Sequence, residues 1–513
     1  MTASFNLITK PWVPCVTLSG NPRELSLSEL FRKSHEMRGI EDENPLIVAS
    51  IYLLLLAIIH RALDGPKSNK EWKNIWARKA FDKRIENYLG NKKQLEKFDL
   101  FSTKYPFSQT PDFEVVTKNN ETNYKTSTLL DISAATGDNK TLFSHNLESN
   151  RLSIELKVAA RLLLSSQQFS LFGLARTYNK YSGGDTVYQH SFMSAPLVGK
   201  VLTLFEGNNL FESLILNLLV YKADRPIPND NDEPVWEQNT GWKDKMHKKR
   251  PVKGYLDLLT WKSRHIRLFS DPSGLKVEKI FITQAYELPK PGEKGYVEHP
   301  LCWFTGKNEA YKFSPQKAYW RDSSSLFRFS TEPEMQVPPL NISQLSELIP
   351  NEPPRYLMLF GMANAKGNPL LWRQEKLPIP KGILRNRILS QHIADWLLSV
   401  EKIHEVLKDV MRNTYARLLL TDGERKADSK EVTRVVNSLN TLQQFWSKME
   451  TCFYCFIREL SDMTDINDWN EETKEVARFV FKETMEHTIG RSQRELYARV
   501  MAEKKLNLEL NKI

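Results

Sequence analysis

Cysteine is scarce in this chain, and familiar catalytic signatures are missing. Only Cys15, Cys302, Cys452 and Cys455 occur in 513 residues. They form no disulfide framework, which points to a reducing compartment and a cytoplasmic protein. The first residues lack a basic stretch followed by an apolar core, so no secretory leader is expected. The most apolar run, residues 46–59, is broken only by Ser50 and Tyr52. It is shorter than the ~20 residues that span a bilayer, so it reads as a buried helix and no membrane partner is expected. There is no Gly-x-x-x-x-Gly-Lys-Ser/Thr, Gly-x-Gly-x-x-Gly or His-Glu-x-x-His, and no Gly-x-Ser-x-Gly elbow. The ten histidines include no adjacent His-Asp pair of the kind metal phosphohydrolases use. Cys452-Phe453-Tyr454-Cys455 is a lone Cys-x-x-Cys with no second pair to complete tetrahedral zinc. It lies inside an apolar helical run where nothing obvious lowers a thiol pKa, and it reads as two small core residues. No cofactor is expected. Carboxylates are plentiful without spacing logic, so a metal-dependent nucleic-acid hydrolase stands as the alternative class.

What is present is an ordinary globular composition, 41% hydrophobic and 26% charged, with a net charge of +10. The excess favours a polyanionic partner. Residues 137–145, Gly-Asp-Asn-Lys-Thr-Leu-Phe-Ser-His, gather hydrogen-bonding side chains, a cation and an aromatic ring into one loop. Such side chains meet phosphates, base edges and base faces. The loop lies between a strand-like run at 127–132 and a helix-like run at 152–164. Residues 5–14 read as a short strand stopped by prolines. A helix follows near Leu27, capped by Ser26 or Ser28. Residues 201–205 and 279–283 read as strands and 210–221 as a helix. The long polar stretch 223–254 carries the basic cluster Lys243, Lys245, His247, Lys248, Lys249 and Arg250.

Leu377-Pro378-Ile379-Pro380-Lys381-Gly382 reads as a linker. Beyond it there is no proline, and Gly423 and Gly490 are the only glycines. Apolar residues recur at helical spacing through Leu389, Ile393, Trp396, Val400, Ile403 and Leu407, over 429–460, and again over 470–510, where Gly490 divides the pattern. The expectation is an α+β chain: a large mixed domain over 1–376, then an antiparallel C-terminal four-helix bundle over 383–513.

The opening Phe5-Asn6-Leu7-Ile8-Thr9-Lys10-Pro11-Trp12-Val13-Pro14, together with Leu25-Ser26-Leu27-Ser28-Glu29-Leu30-Phe31, resembles the start of the CasA family, the large subunit of the type I-E CRISPR Cascade complex. Tyr105-Pro106-Phe107-Ser108-Gln109-Thr110 is similar to that family's His/Tyr-Pro-Phe-x-Gln-Thr. Asp232-Glu233-Pro234-Val235-Trp236-Glu237 resembles its Pro-x-Trp motif. The motifs follow the family order over nearly the whole chain. The resemblance implies a non-catalytic subunit of an RNA-guided antiviral ribonucleoprotein. That subunit recognises a short PAM in double-stranded DNA, helps open the duplex for guide pairing and docks a separate helicase–nuclease. The implied partners are the guide RNA 5′ handle, target DNA, the small-subunit dimer and the handle-binding subunit. A scaffold that binds only RNA or protein is the other alternative.

Site residues follow from the same resemblance. In the 137–145 loop, Asn139, Lys140 and Thr141 correspond to phosphate and sugar contacts, Phe143 to the aromatic position, and Ser144 and His145 follow it. Lys290, with Lys294 next, corresponds to a lysine reaching into the PAM minor groove, where a flexible ammonium suits an acceptor-rich surface. A wedge following a helix corresponds to residues 359–369. There the family's tip glutamine is replaced by Gly367 or Asn368, so Asn368 or Lys366 would have to fill the space of a displaced pair. A glycine-rich loop corresponds to 169–174, with Gly173 its only glycine and Gly183-Gly184 nearby.

Overall fold

The computed structural model describes the chain except for residues 1–2, 133–152, 182–185, 222–230, 239–248, 305–309, 316, 328–338, 349–353, 366, 385, 421–426, 464, 489 and 491. Two compact units emerge: Met1–Lys317 with Ser330–Leu377, and Ala318–Phe329 with Pro378–Ile513.

The first unit is mixed. Its strands are β1 (Val13–Thr17), β2 (Pro22–Leu25), β3 (Met37–Ile40), β4 (Phe113–Val116), β5 (Lys125–Thr126), β6 (Ile154–Glu155), β7 (Gly173–Tyr181), β8 (Thr186–Phe192), β9 (Val201–Glu206), β10 (Arg264–Ser270), β11 (Lys276–Gln284), β12 (Tyr356–Ala365) and β13 (Asn368–Pro378). They pair as β2-β1-β3, β10-β11-β5 with β6 also on β11, β13-β12-β9 and β4-β7-β8. Helices α1 (Leu27–Lys33), α2 (Pro45–Leu63), α3 (Asn69–Ala77), α4 (Lys83–Leu89), α5 (Lys92–Lys97), α6 (Leu156–Phe169), α7 (Leu210–Leu216), α8 (Tyr255–Leu259) and α9 (Leu340–Leu348) fill the spaces.

Helix α2 is the core. Asn44 caps it and Pro45 opens it, where a missing N–H costs nothing. It is apolar on every side, and Leu46 through His60 are all buried, as expected of a helix enclosed by its own protein. It packs on α4, α6, α7, α8 and β12. It is long and apolar enough to cross a membrane by length and composition, but here it is wrapped by the fold. Ser26 caps α1 through a reciprocal box: its Oγ accepts from Glu29 N at 3.3 Å, and its own N–H donates to Glu29 Oε2 at 3.2 Å.

Several sequence expectations shift. The opening strand begins only at Val13, and Pro14 lies within it, its carbonyl accepting from Glu41 N. The strand-like run at 127–132 is a 3-10 turn over Ser127–Leu130. Thr126 and Thr128 hydroxyls bond each other at 2.8 Å, the kind of local bonding that competes with a strand ladder. The helix expected at 152–164 is α6, shifted to 156–169 behind the short β6. The helix expected to reach 221 ends at Leu216, because the Asn217 side chain takes both Phe205 N–H and Phe205 O at 2.8 Å.

The second unit is helical: α10 (Arg387–Leu418), α11 (Ser429–Ser438), α12 (Thr441–Glu459), α13 (Asn467–Thr488) and α14 (Gln493–Leu510). The helix expected over 429–460 is two, broken at Asn440, whose φ is +57°. Contacts fix the directions. Trp396 stacks on Phe456 at 4.6 Å while His404 meets Trp446 at 4.9 Å, so α10 and α12 are antiparallel. Thr441 bonds Thr484 at 2.9 Å and Cys452 approaches Glu472, so α12 and α13 are antiparallel. Arg478 bonds Asn507 and Arg499 pairs with Glu486, so α13 and α14 are antiparallel. The four long helices run up, down, up, down, with α11 a short bridge. A segment the sequence did not assign here, the 3-10 turn Tyr319–Ser325, belongs to this unit. Arg321 bonds Glu401 at 2.8 Å and lies 3.3 Å over the Trp446 ring. Cys452 and Cys455 are half-buried and unpaired with each other, and burial pushes the Cys452 thiol up to about 11.

Candidate nucleic-acid interface

The wedge region is the tip of the β12–β13 hairpin, and helix α9 is the element that precedes β12. Residues 356–363 are apolar except for the glycine and the terminal tyrosine hydroxyl, and most are buried on both faces, which is the pattern of a central strand. β12 pairs with β9 from Tyr356↔Glu206 to Gly361↔Val201. Beyond Gly361 β9 has ended, so Met362 to Ala365 and the start of β13 continue as a ribbon. Exposure rises along it: Asn364 is half-buried, and Ala365 and Asn368 are exposed.

Gly367 turns the chain with φ +84°. A Cβ there would sit 2.5 Å from the Phe172 carbonyl oxygen. Glycine is therefore required twice, by the left-handed backbone and by close approach. The tip is seated against the loop entering β7. This brings Gly367, Asn368 and Gly173 together, with Phe172 between them. Gly173 pairs with Phe192, and a Cβ there would meet nothing within 4 Å, so the space over this backbone is open and no neighbour requires glycine. Phe172 is 46% exposed and Leu370 on β13 is 58% exposed.

The loop before β7 is held from below. Arg264 is buried, and its guanidinium donates to Leu171 O at 3.0 Å, Met193 O at 2.7 Å, Ser263 O at 3.0 Å and Gln284 Oε1 at 3.2 Å. Burial pushes its pKa down to about 9, so it stays cationic at neutral pH. A buried cation persists only where its donors are satisfied. Its place in β10 reads in the sequence as a charge beside apolar residues.

Lys290 is exposed on a separate turn beyond β11. Its N–H donates to Glu293 Oε2 at 2.8 Å, and Glu293 N–H returns a bond to Lys290 O at 2.9 Å. Glu293 also accepts Lys249 Nζ at 2.7 Å. These bonds, that to Lys249 first, hold its carboxyl below the usual carboxylate range. Gly292 supplies the positive φ of +88°. The turn is thus fixed while the Lys290 ammonium projects from it; Lys294 is exposed beside it. Asn139, Lys140, Thr141, Phe143, Ser144, His145 and Lys366 lie outside the described residues, as do Gly183-Gly184 and Lys243, Lys245, His247 and Lys248. Among the described residues no group of three or more His, Cys, Asp or Glu side chains is placed to hold a metal ion.

A family model for CRISPR-associated protein Cse1 matches residues 6–483. The chain belongs to the Cse1 family. CRISPR-associated protein CasA/Cse1 of Thermus thermophilus is 28% identical over 469 residues, 88% of this chain and 86% of the relative. The solved structure of Thermus thermophilus CasA (Cse1) superposes with a TM-score of 0.76 at 23% identity over all of both chains. That of Cse1 from Acidimicrobium ferrooxidans gives 0.79 at 21% identity, over 99% of this chain and 98% of the other. A chain of a CRISPR RNA-guided surveillance complex gives 0.77 at 18%, over 98% and 100%. The α+β fold with its helical C-terminal region is that of the Cse1 structures.

The motifs that carry the Cse1 resemblance are architectural. Phe107 stacks on Phe98 at 4.8 Å and lies 6.1 Å from the Trp236 ring. Trp236 Nε1 donates to Tyr88 Oη at 2.8 Å. Glu237 accepts from Tyr88 at 2.5 Å, Gln94 at 2.9 Å and Arg61 Nε at 2.8 Å. Asp232 accepts from Leu256 N and Asp257 N at 2.8 and 2.9 Å and so starts α8. Gln109 donates to Leu100 O and accepts from Leu268 N. These residues tie distant parts of the first unit together. The residues missed from sequence are Phe172, Leu370 and Arg264, since their roles depend on which strands pair.

Proposed function

We propose that this Cse1-family chain is the non-catalytic large subunit of an RNA-guided CRISPR surveillance complex of the cytoplasm. In this reading it recognises the PAM in duplex DNA, helps open the duplex for guide RNA pairing, and offers a docking surface to a helicase–nuclease. The observation that carries the reading is the β12–β13 tip seated on the loop before β7. An exposed amide, Asn368, and an exposed ring, Phe172, stand there on a rigid, glycine-dependent support. Side chains that wedge between base steps must resist being pushed back, at a cost of a few kcal/mol per unstacked step. A hairpin whose base is paired with β9, its tip seated on a loop anchored by Arg264, supplies that resistance. Lys290 gives a separate point charge for an acceptor-rich groove. Sequence is left to guide pairing, and the protein reads only a short element beside it.

The test is reconstitution with the guide-loaded complex and duplexes carrying matched or scrambled PAMs. Lys290→Ala is expected to weaken binding of the matched duplex by about 5- to 100-fold, the range of one lost specific contact, with guide pairing to an opened target intact. Equal loss on both duplexes would show a general phosphate contact. Failure of the chain to join the guide-loaded complex would remove the reading altogether. So would chelator-sensitive cleavage of bare DNA by the chain alone.

A further inference from the structure

The sheet β4-β7-β8 has two unlike faces. Phe113, Val115, Thr177, Asn179 and Gln189 are buried on one, where Phe113 and Val115 pack with Phe281. The opposite face carries Glu114, Val116, Tyr178, Lys180, Thr186, Tyr188 and His190; Val116, the cross-strand partner of Tyr178, is buried and Tyr178 half-buried, and the others are exposed. Tyr178 and Tyr188 are direct cross-strand partners, with ring centroids 5.0 Å apart at 49°. The His190 ring follows at 6.3 Å from Tyr188. Tyr188 is 48% exposed. Arg176 is exposed at the irregularity between Leu174 and Thr177, with φ +47°.

Aromatic rings in a row on an open sheet, flanked by Arg176 and Lys180, match what unpaired bases and their phosphates require. Tyr178 lies beside the buried Val116, whereas the Tyr188 ring, next across the sheet, is left half in solvent. We propose that this face is a stacking platform for single-stranded DNA. The occupant follows from charge and position. Arg176 and Lys180 outnumber Glu114 on a chain of net charge +10. β7 starts at Gly173, directly after the Phe172 that meets the hairpin tip, so a strand separated at that tip meets β7 and β8 next. The choice of DNA as occupant rests on the duplex-opening reading; the platform itself rests on the side chains.

The experiment uses the full chain and a labelled, unstructured single-stranded DNA, read by fluorescence anisotropy, with an RNA of the same sequence alongside. Tyr188→Ala is expected to weaken DNA binding by about 10-fold or more, the worth of one stacked base. Tyr188→Trp is expected to keep it, and Lys180→Ala to lower both affinity and its salt dependence. Thermal melts of the variants establish that they fold. Wild-type affinity in Tyr188→Ala and in the Tyr178→Ala, Tyr188→Ala double variant would overturn the platform, as would loss confined to RNA. A chain that binds single-stranded DNA in this tyrosine-dependent way but never joins a guide-loaded complex would sink the proposed function and leave the platform standing.

Discussion

The Phe107–Trp236 region and the β12–β13 tip are built on opposite terms. The first is closed: aromatic rings in contact, a Glu237 carboxylate with three donor side chains, and almost no exposure. The second is open: Gly367 turns against a carbonyl, and Asn368, Phe172 and Leu370 stand in solvent. A closed region constrains many residue types at once, because each ring and each bond has one partner. An open region constrains only what the backbone demands, here two requirements on Gly367, and leaves its outward side chains free to suit a ligand. The aromatic motifs that carry the family resemblance therefore mark what holds the fold, whereas at the open hairpin tip the side chains depart from the family pattern.

This contrast predicts where damage falls. Trp236→Ala removes a buried ring and the donor to Tyr88, and should cost about 3–5 kcal/mol. Denaturant unfolding of the full chain would show the transition of the first unit moving to lower concentration, and DNA binding would fall only with the folded fraction. Gly367→Ala should do the reverse. It forces a Cβ against the Phe172 carbonyl at a positive φ, a local strain of about 1–3 kcal/mol. The expected outcome is faster amide exchange in the hairpin and slower duplex opening, with a smaller unfolding shift than Trp236→Ala. Equal global destabilisation by both would erase the distinction between a clamp and a tip.

The sequence shows the closed parts better than the open ones, for a physical reason. The buried helix α2, a serine cap before α1 and the helical periodicity after 383 all follow from patterning within one segment, and the aromatic motifs from short runs shared with a family. The hairpin does not: strand β12, buried on both faces, has no alternation to reveal its period, so nothing in residues 359–369 marks two paired strands. The meeting of Gly367 with Phe172 joins segments far apart in sequence, and no local pattern encodes it. Breaks at Asn217 and Asn440 were missed because a side-chain bond and one left-handed residue outweighed helical periodicity. The rows Tyr178-Lys180 and Thr186-Tyr188-His190 do alternate, yet only the pairing of β7 with β8 puts them on one face.

Buried histidines elsewhere in the core carry the smallest predicted effect at neutral pH and a distinct one in acid. His60 lies inside α2 between the Tyr221 and Tyr255 rings, each 5.0 Å away, and His299 is buried near Lys200. Burial lowers both pKa values to about 3, with the Lys200 charge assisting at His299, against 6.5 for an exposed ring. Between those values the unfolded chain binds protons that the folded chain refuses, so stability falls as pH drops from about 6.5 towards 3. The slope is at most roughly 1.4 kcal/mol per pH unit for each histidine. His60→Phe keeps a ring between the two tyrosines and removes the titration. It should change stability at pH 7 by no more than about 1.5 kcal/mol while flattening the acid loss by up to one histidine's share. Urea unfolding at pH 7 and pH 4.5 measures both. An unchanged slope in His60→Phe would mean that the ring takes up its proton inside the fold, and that this core is less closed than its packing indicates.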